Sequence, residues 1–72
     1  MSNKFKVGDE VRLISNTINS DNDIGDVGII TVIGSVCPYY RVKVPGRYSE
    51  NNWSHEDDIE FAGSVLDDYY SL

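Results

Sequence analysis

Residues 27–44, VGIITVIGSVCPYYRVKV, decide the fold. The first seven, VGIITVI, are apolar at most positions and dense in β-branched side chains. That composition predicts a central strand with both faces covered. Gly34-Ser35 opens a turn, and Cys37-Pro38 leads into a second run. Residues 39–44, YYRVKV, alternate. Tyr40, Val42 and Val44 take one side; Tyr39, Arg41 and Lys43 take the other. A two-residue period is that of a strand with one face on the core and one on solvent. Pro45-Gly46 closes it with a strong turn signal.

The same alternation extends toward the N-terminus. In residues 4–14, KFKVGDEVRLI, the spacing directs Phe5, Val7, Val11 and Leu13 inward and Lys4, Lys6, Glu10 and Arg12 outward. Gly8-Asp9 marks a bend or bulge within it. Residues 15–26, SNTINSDNDIGD, are a loop whose Asn and Asp side chains suit turns by bonding nearby backbone. Residues 51–61, NNWSHEDDIEF, predict a short strand around Trp53, then a turn of 3-10 helix capped by Ser54 and Asp57 in a Ser-x-x-Asp box, then a last strand with Ile59 and Phe61. Residues 64–72, SVLDDYYSL, repeat the Ser-x-x-Asp cap, and Val65/Tyr69 and Leu66/Tyr70 are four apart, which predicts a short C-terminal helix. So short a helix is stable only when docked. The expectation is a mainly β domain: a small barrel of four to five antiparallel strands over residues 1–61, followed by an acidic, tyrosine-bearing tail over 62–72.

Seventy-two residues allow one such domain and a small core. One cysteine, Cys37, makes no intrachain disulfide, and one Cys with one His makes no structural zinc site. The stretch MSNKFKVGDEV lacks the apolar core of a signal peptide, and no apolar run approaches the ~20 residues of a membrane span. These features predict a cytoplasmic protein.

Charge is unevenly placed. The net charge is −6. Residues 1–49 hold five acids and six bases, whereas residues 50–72 hold seven acids and no Lys or Arg. Phosphate is repelled by that end, and a basic partner is attracted to it.

Phe5-Lys6-Val7-Gly8-Asp9-Glu10-Val11-Arg12, Gly25-Asp26-Val27-Gly28-Ile29-Ile30-Thr31-Val32, Tyr40-Arg41-Val42, and Trp53 with Glu56-Asp57-Asp58-Ile59-Glu60 together resemble SH3-like barrels of the KOW-like kind, as found among phage and prophage proteins. The resemblance covers residues 4–61 and implies a fold with no fixed activity, because such barrels bind RNA, DNA, peptides and proteins. The chain departs from nucleic-acid-binding KOW proteins in carrying twice as many acids as bases.

The candidate sites follow from chemistry. Ser54-His55 are sequence neighbours, not a nucleophile and base brought together in space, and the barrel offers little room for a substrate, so no enzyme and no cofactor are expected. Asp21-Asn22-Asp23-Ile24-Gly25-Asp26 has oxygen ligands in series. A calcium loop starting at Asp21 needs Gly at 26 and Glu at 32, where Asp26 and Val32 stand, so no metal is expected. Phe5, Tyr40, Trp53 and Phe61 are assigned to the core, and Tyr39, Tyr48, Tyr69 and Tyr70 to the surface.

The leading reading makes Glu50, Glu56, Asp57, Asp58, Glu60, Asp67 and Asp68 surrogates for a row of DNA phosphates, with Tyr69 and Tyr70 as interface anchors for a partner or for a homodimer. The protein would then resemble small acidic phage inhibitors that occupy a basic host DNA-binding protein, such as a histone-like nucleoid protein, and would bind neither nucleic acid nor membrane itself. The competing reading uses Lys4, Lys6, Arg12, Arg41, Lys43 and Arg47 on the outward strand faces to touch RNA, the ribosome or the transcription machinery.

Overall fold

The computed structural model of the protein describes residues 4–35 and 39–62. Five strands form one antiparallel sheet: β1 (Glu10–Leu13), β2 (Val27–Ile33), β3 (Tyr39–Lys43), β4 (Trp53–His55) and β5 (Ile59–Phe61). Their spatial order is β4-β3-β2-β1-β5. A 3-10 turn, Glu56–Asp58, joins β4 to β5. The expected C-terminal helix over 64–72 lies outside the described residues.

This order bends the sheet. β4 and β5 are its two edges, separated by three other strands. In a flat sheet they would stand about 19 Å apart, at ~4.8 Å per strand. Yet only four Cα steps lead from His55 to Ile59, at most about 14 Å of chain. The sheet is therefore curled, with its edges drawn together around the 3-10 turn. The described backbone pairing stops at those edges.

The concave side holds the core. Phe5, Val11, Leu13, Ile30, Tyr40, Val42, Val44 and Ile59 form one buried cluster. Register explains the match. Leu13 faces Ile59, Ile30 faces Val42, and Ile33 faces Tyr40, so inward residues on neighbouring strands meet directly. The Phe5 ring stands edge-on to Tyr40 with centroids 5.4 Å apart, and edge-on to Phe61 at 4.8 Å.

Four sequence expectations change. First, Val7 is 61% exposed, because residues 6–9 form a turn and not a strand. Asp9 N–H donates to the Lys6 carbonyl, Lys6 N–H donates to the Asp9 carboxylate, and Gly8 takes a positive φ of 97°. Second, Trp53 pairs with Arg41 and so lies on the convex side, while Phe61 is 52% exposed at the end of β5. Of the four aromatics assigned to the core, only Phe5 and Tyr40 are buried.

Third, β2 is central but covered on one face only. Thr31 bulges between Ile30 and Val32, and Ile29 and Val32 both face outward. Fourth, the cap of the 3-10 turn is His55, whose Nδ1 accepts from Asp57 N–H at 3.0 Å. Ser54 instead faces inward opposite Tyr40 and is buried, its hydroxyl without a partner among the described residues.

At Gly28, β2 leaves no room for a side chain against β3. A Cβ built there would lie 2.5 Å from the Lys43 carbonyl oxygen and 2.9 Å from a Val42 methyl. The first neighbour is backbone and has no rotamer to change. Gly28→Ala is expected to lower unfolding free energy by about 1–3 kcal/mol, or more if the strands separate, as read from urea denaturation.

Candidate functional site

The structure first distributes the acids. Asp58 is 2% exposed and belongs to no surface. Its carboxylate accepts from Ser15 Oγ at 2.5 Å and from Thr17 Oγ1 and N–H at 2.7 and 3.0 Å. Its carbonyl accepts from Ile14 N–H at 2.8 Å. Burial alone would raise its pKa. The Ser15 and Thr17 hydrogen bonds outweigh that and hold the carboxyl below the ordinary aspartate range.

Glu56 is also engaged. It accepts from the Tyr40 hydroxyl at 2.8 Å and from Lys4 N–H at 3.0 Å, and the Tyr40 bond leads in lowering its pKa. Burial, reinforced by the Glu56 bond, raises that of Tyr40. Glu60 pairs with Arg12 at 3.4 Å across β5 and β1. Glu50 is exposed beside β4, and the Asp57 side chain is 86% exposed. Asp67, Asp68, Tyr69 and Tyr70 lie outside the described residues. So, of the described acids in the expected row, Glu50 and Asp57 are the two on the surface with no cationic Lys or Arg partner among the described residues.

The Asx-rich loop holds a cation of its own. Arg47 Nε lies 2.5 Å from Asp26, and its Nη2 lies 2.7 Å from Asp23. The Arg47 bond is the leading cause that lowers the Asp26 pKa. Ser49 Oγ donates to Asp21, and Asn51 Nδ2 donates to the Asn19 carbonyl. These bonds tie residues 19–26 to residues 47–51. The guanidinium bridges the two carboxylates.

The convex side of β2, β3 and β4 assembles a different set. Tyr39, Arg41 and Lys43 follow one another at two-residue spacing along β3. On β4, His55 lies opposite Tyr39 and Trp53 opposite Arg41. On β2, Val32 lies opposite Arg41 and Ile29 opposite Lys43. The Tyr39 and His55 rings stand edge to face, 5.4 Å apart. The turn after β3 folds back over this side and encloses a concavity of about 450 Å³, lined by Thr31, Val32, Arg41, Lys43, Tyr48 and Asn52, among others. Tyr48 is 91% exposed.

Two features define its electrostatics. Asn52 Oδ1 accepts from Arg41 Nε at 2.9 Å and fixes the guanidinium, whose terminal nitrogens meet no carboxylate among the described residues. Lys43 likewise forms no ion pair among the described residues. Of the basic side chains that sequence reasoning grouped together, Arg41 and Lys43 are brought together here. Arg12 and Arg47 are neutralised by their acids.

Sequence reasoning missed the place of Trp53 on this face. The antiparallel register puts it there, since Trp53 lies one residue from the inward Ser54. No local signal marked the bond from Ser15 and Thr17 to Asp58, more than forty residues away. No protein-family model matches the chain, and no curated protein or solved structure matches it. No helix among the described residues is long and apolar enough to cross a membrane.

The buried carboxylate makes an acid limit. Folded Asp58 binds its proton less tightly than unfolded aspartate. Its contribution is therefore complete above the ordinary aspartate pKa of about 4 and is lost as pH falls through the depressed folded value. Unfolding free energy measured in urea should decline below about pH 4. In Asp58→Ala, which strands the Ser15 and Thr17 donors, it should already be lower by about 3 kcal/mol at pH 7 and should lose much of that acid dependence.

Tyr40→Phe tests a second contact. It keeps the ring against Phe5 and removes the hydroxyl, which donates to Glu56 and accepts from Phe5 N–H. A loss of about 1 kcal/mol is expected, with the Glu56 carboxyl titrating at higher pH in an NMR titration.

Proposed function

We propose that this chain is a non-enzymatic protein-binding module on a small SH3-like barrel, and that it holds its partner with the convex side of β2, β3 and β4. The sheet order, its curl and the 3-10 turn before the last strand support the barrel reading. One observation carries the functional reading. One sheet face carries Tyr39, Arg41, Lys43 and Trp53, and Arg41, Lys43 and Tyr48 line a concavity on it; Trp, Tyr and Arg are the residue types that dominate binding energy at protein interfaces.

Charge argues against nucleic acid as the ligand. The two unpaired cations on this face, in a chain of net −6, release few counterions and meet long-range repulsion from phosphate. A polypeptide needs only one or two carboxylates here, and it gains apolar contact with Val32 and the aromatic rings.

A second reading keeps the acidic end as the contact surface. Residues 50–72 hold seven acids and no Lys or Arg, and Asp57 and Glu50 project into solvent. Under it the protein is a DNA mimic of phage type, joined as a homodimer or alone, and its target is a basic host DNA-binding protein in the cytoplasm. The burial of Asp58 and the bonds of Glu56 and Glu60 leave that surface fewer free charges than the sequence suggests.

Charge reversal separates the two. The protein is used as bait in nuclease-treated bacterial lysate, and retained proteins are compared among variants. Arg41→Glu with Lys43→Glu is expected to abolish retention of the specific partner, while Glu50→Lys with Asp57→Lys leaves it. The opposite pattern would establish the acidic end, and indifference to both would reject both surfaces.

A further inference from the structure

We infer that the convex face takes an extended acidic peptide segment lying along β3, with carboxylates on alternate residues opposite Arg41 and Lys43. The inference rests on the protein-binding reading and specifies the partner's chemistry.

Spacing is the first argument. Arg41 and Lys43 are two residues apart on one strand face, about 6.6 Å along the chain. An extended peptide presents its own i and i+2 side chains at the same spacing. Acids at those positions meet both cations at once, whereas adjacent acids point to opposite sides and meet one. The row continues to Tyr39, which carries His55 edge-on. The ligand residue two further along therefore faces an aromatic surface, and an apolar or aromatic side chain is favoured there. The pattern read by the face is an aromatic and two acids at two-residue spacing, aromatic-x-acid-x-acid for a peptide running parallel to β3.

Charge complementarity is the second argument. Arg41 is oriented by Asn52 through Nε, which leaves its outer nitrogens directed away from that bond for a carboxylate. Arg47, also on the rim, is already committed to Asp23 and Asp26 and adds no free charge. Glu50 on the same rim repels a third acid, which limits the favourable ligand to a pair. Val32 and Tyr48 line the concavity beside the cations and supply apolar contact for the intervening side chain.

The test uses the full-length chain labelled with ¹⁵N. Two ten-residue peptides of equal composition, built from Tyr, Leu, Ser and two Glu, are titrated in. One places the acids at i and i+2 after a Tyr at i−2; the other places the acids side by side. A short single-stranded oligothymidine is titrated separately.

The alternating peptide is expected to shift amides of residues 31–33, 39–43 and 53–55. It should bind about two- to fivefold tighter than the adjacent-acid peptide, the range set by one surface ion pair. Arg41→Gln with Lys43→Gln should remove that preference while its amide spectrum stays dispersed as in a folded protein. Equal binding of the two peptides, or shifts confined to other faces, overturns the peptide register and leaves the protein-binding reading standing. Binding of the oligonucleotide through Arg41 and Lys43 with no peptide binding overturns both.

Discussion

A buried carboxylate holds this small protein together. Asp58 sits at the end of the 3-10 turn and draws Ser15 and Thr17 onto itself from the far side of the sequence. The loop after β1 has few apolar side chains to anchor it. It is held instead by the Asp58 oxygens, by Asn16 bonded back to Ser20, and by Asn22 bonded to the Val42 carbonyl. A charge in the interior is tolerated only when its lone pairs are filled, and here two hydroxyls and one backbone N–H fill them. The same turn connects the two sheet edges. The carboxylate thus fixes both the loop and the curl, and the curl creates a concave core side and a convex working side.

The division between those sides was legible where the residue alternation is strict. In residues 39–44 the two-residue period assigned Tyr40, Val42 and Val44 to the core, and all three are buried. It failed where the backbone departs from regular pleat. Thr31 adds a residue to β2, and the run VGIITVI then carries apolar side chains on both sides without being covered on both. Val7 was misplaced because Gly8 turns the chain before the alternation can continue. At Val7 a local turn overrode a correct period; in β2 the reading came from apolar composition, which does not say whether each face is covered.

The site was less legible than the fold. Composition revealed the acidic end but could not say which carboxylates are spent inside. A residue such as Asp58 reads as solvated until its donors are known, and those donors are remote in sequence. Trp53 shows the converse error. Its size suggested the core, but a three-residue edge strand has room for one inward side chain, and Ser54 takes that place beside the large Tyr40 ring. Register, which sequence alone leaves open, is what moved Trp53 beside Arg41.

The clasp between Arg47 and the aspartates of the neighbouring loop reaches beyond that loop. Tyr48 is the next residue, and its ring stands almost wholly in solvent. An exposed tyrosine on a free loop would surrender much conformational freedom on meeting a partner. Here the backbone leading into it is already pinned by two carboxylates, so less entropy remains to be lost on association. The Asx-rich loop thereby serves as a built-in brace for an aromatic side chain, and because its ion pairs reach solvent, the brace slackens as ionic strength rises.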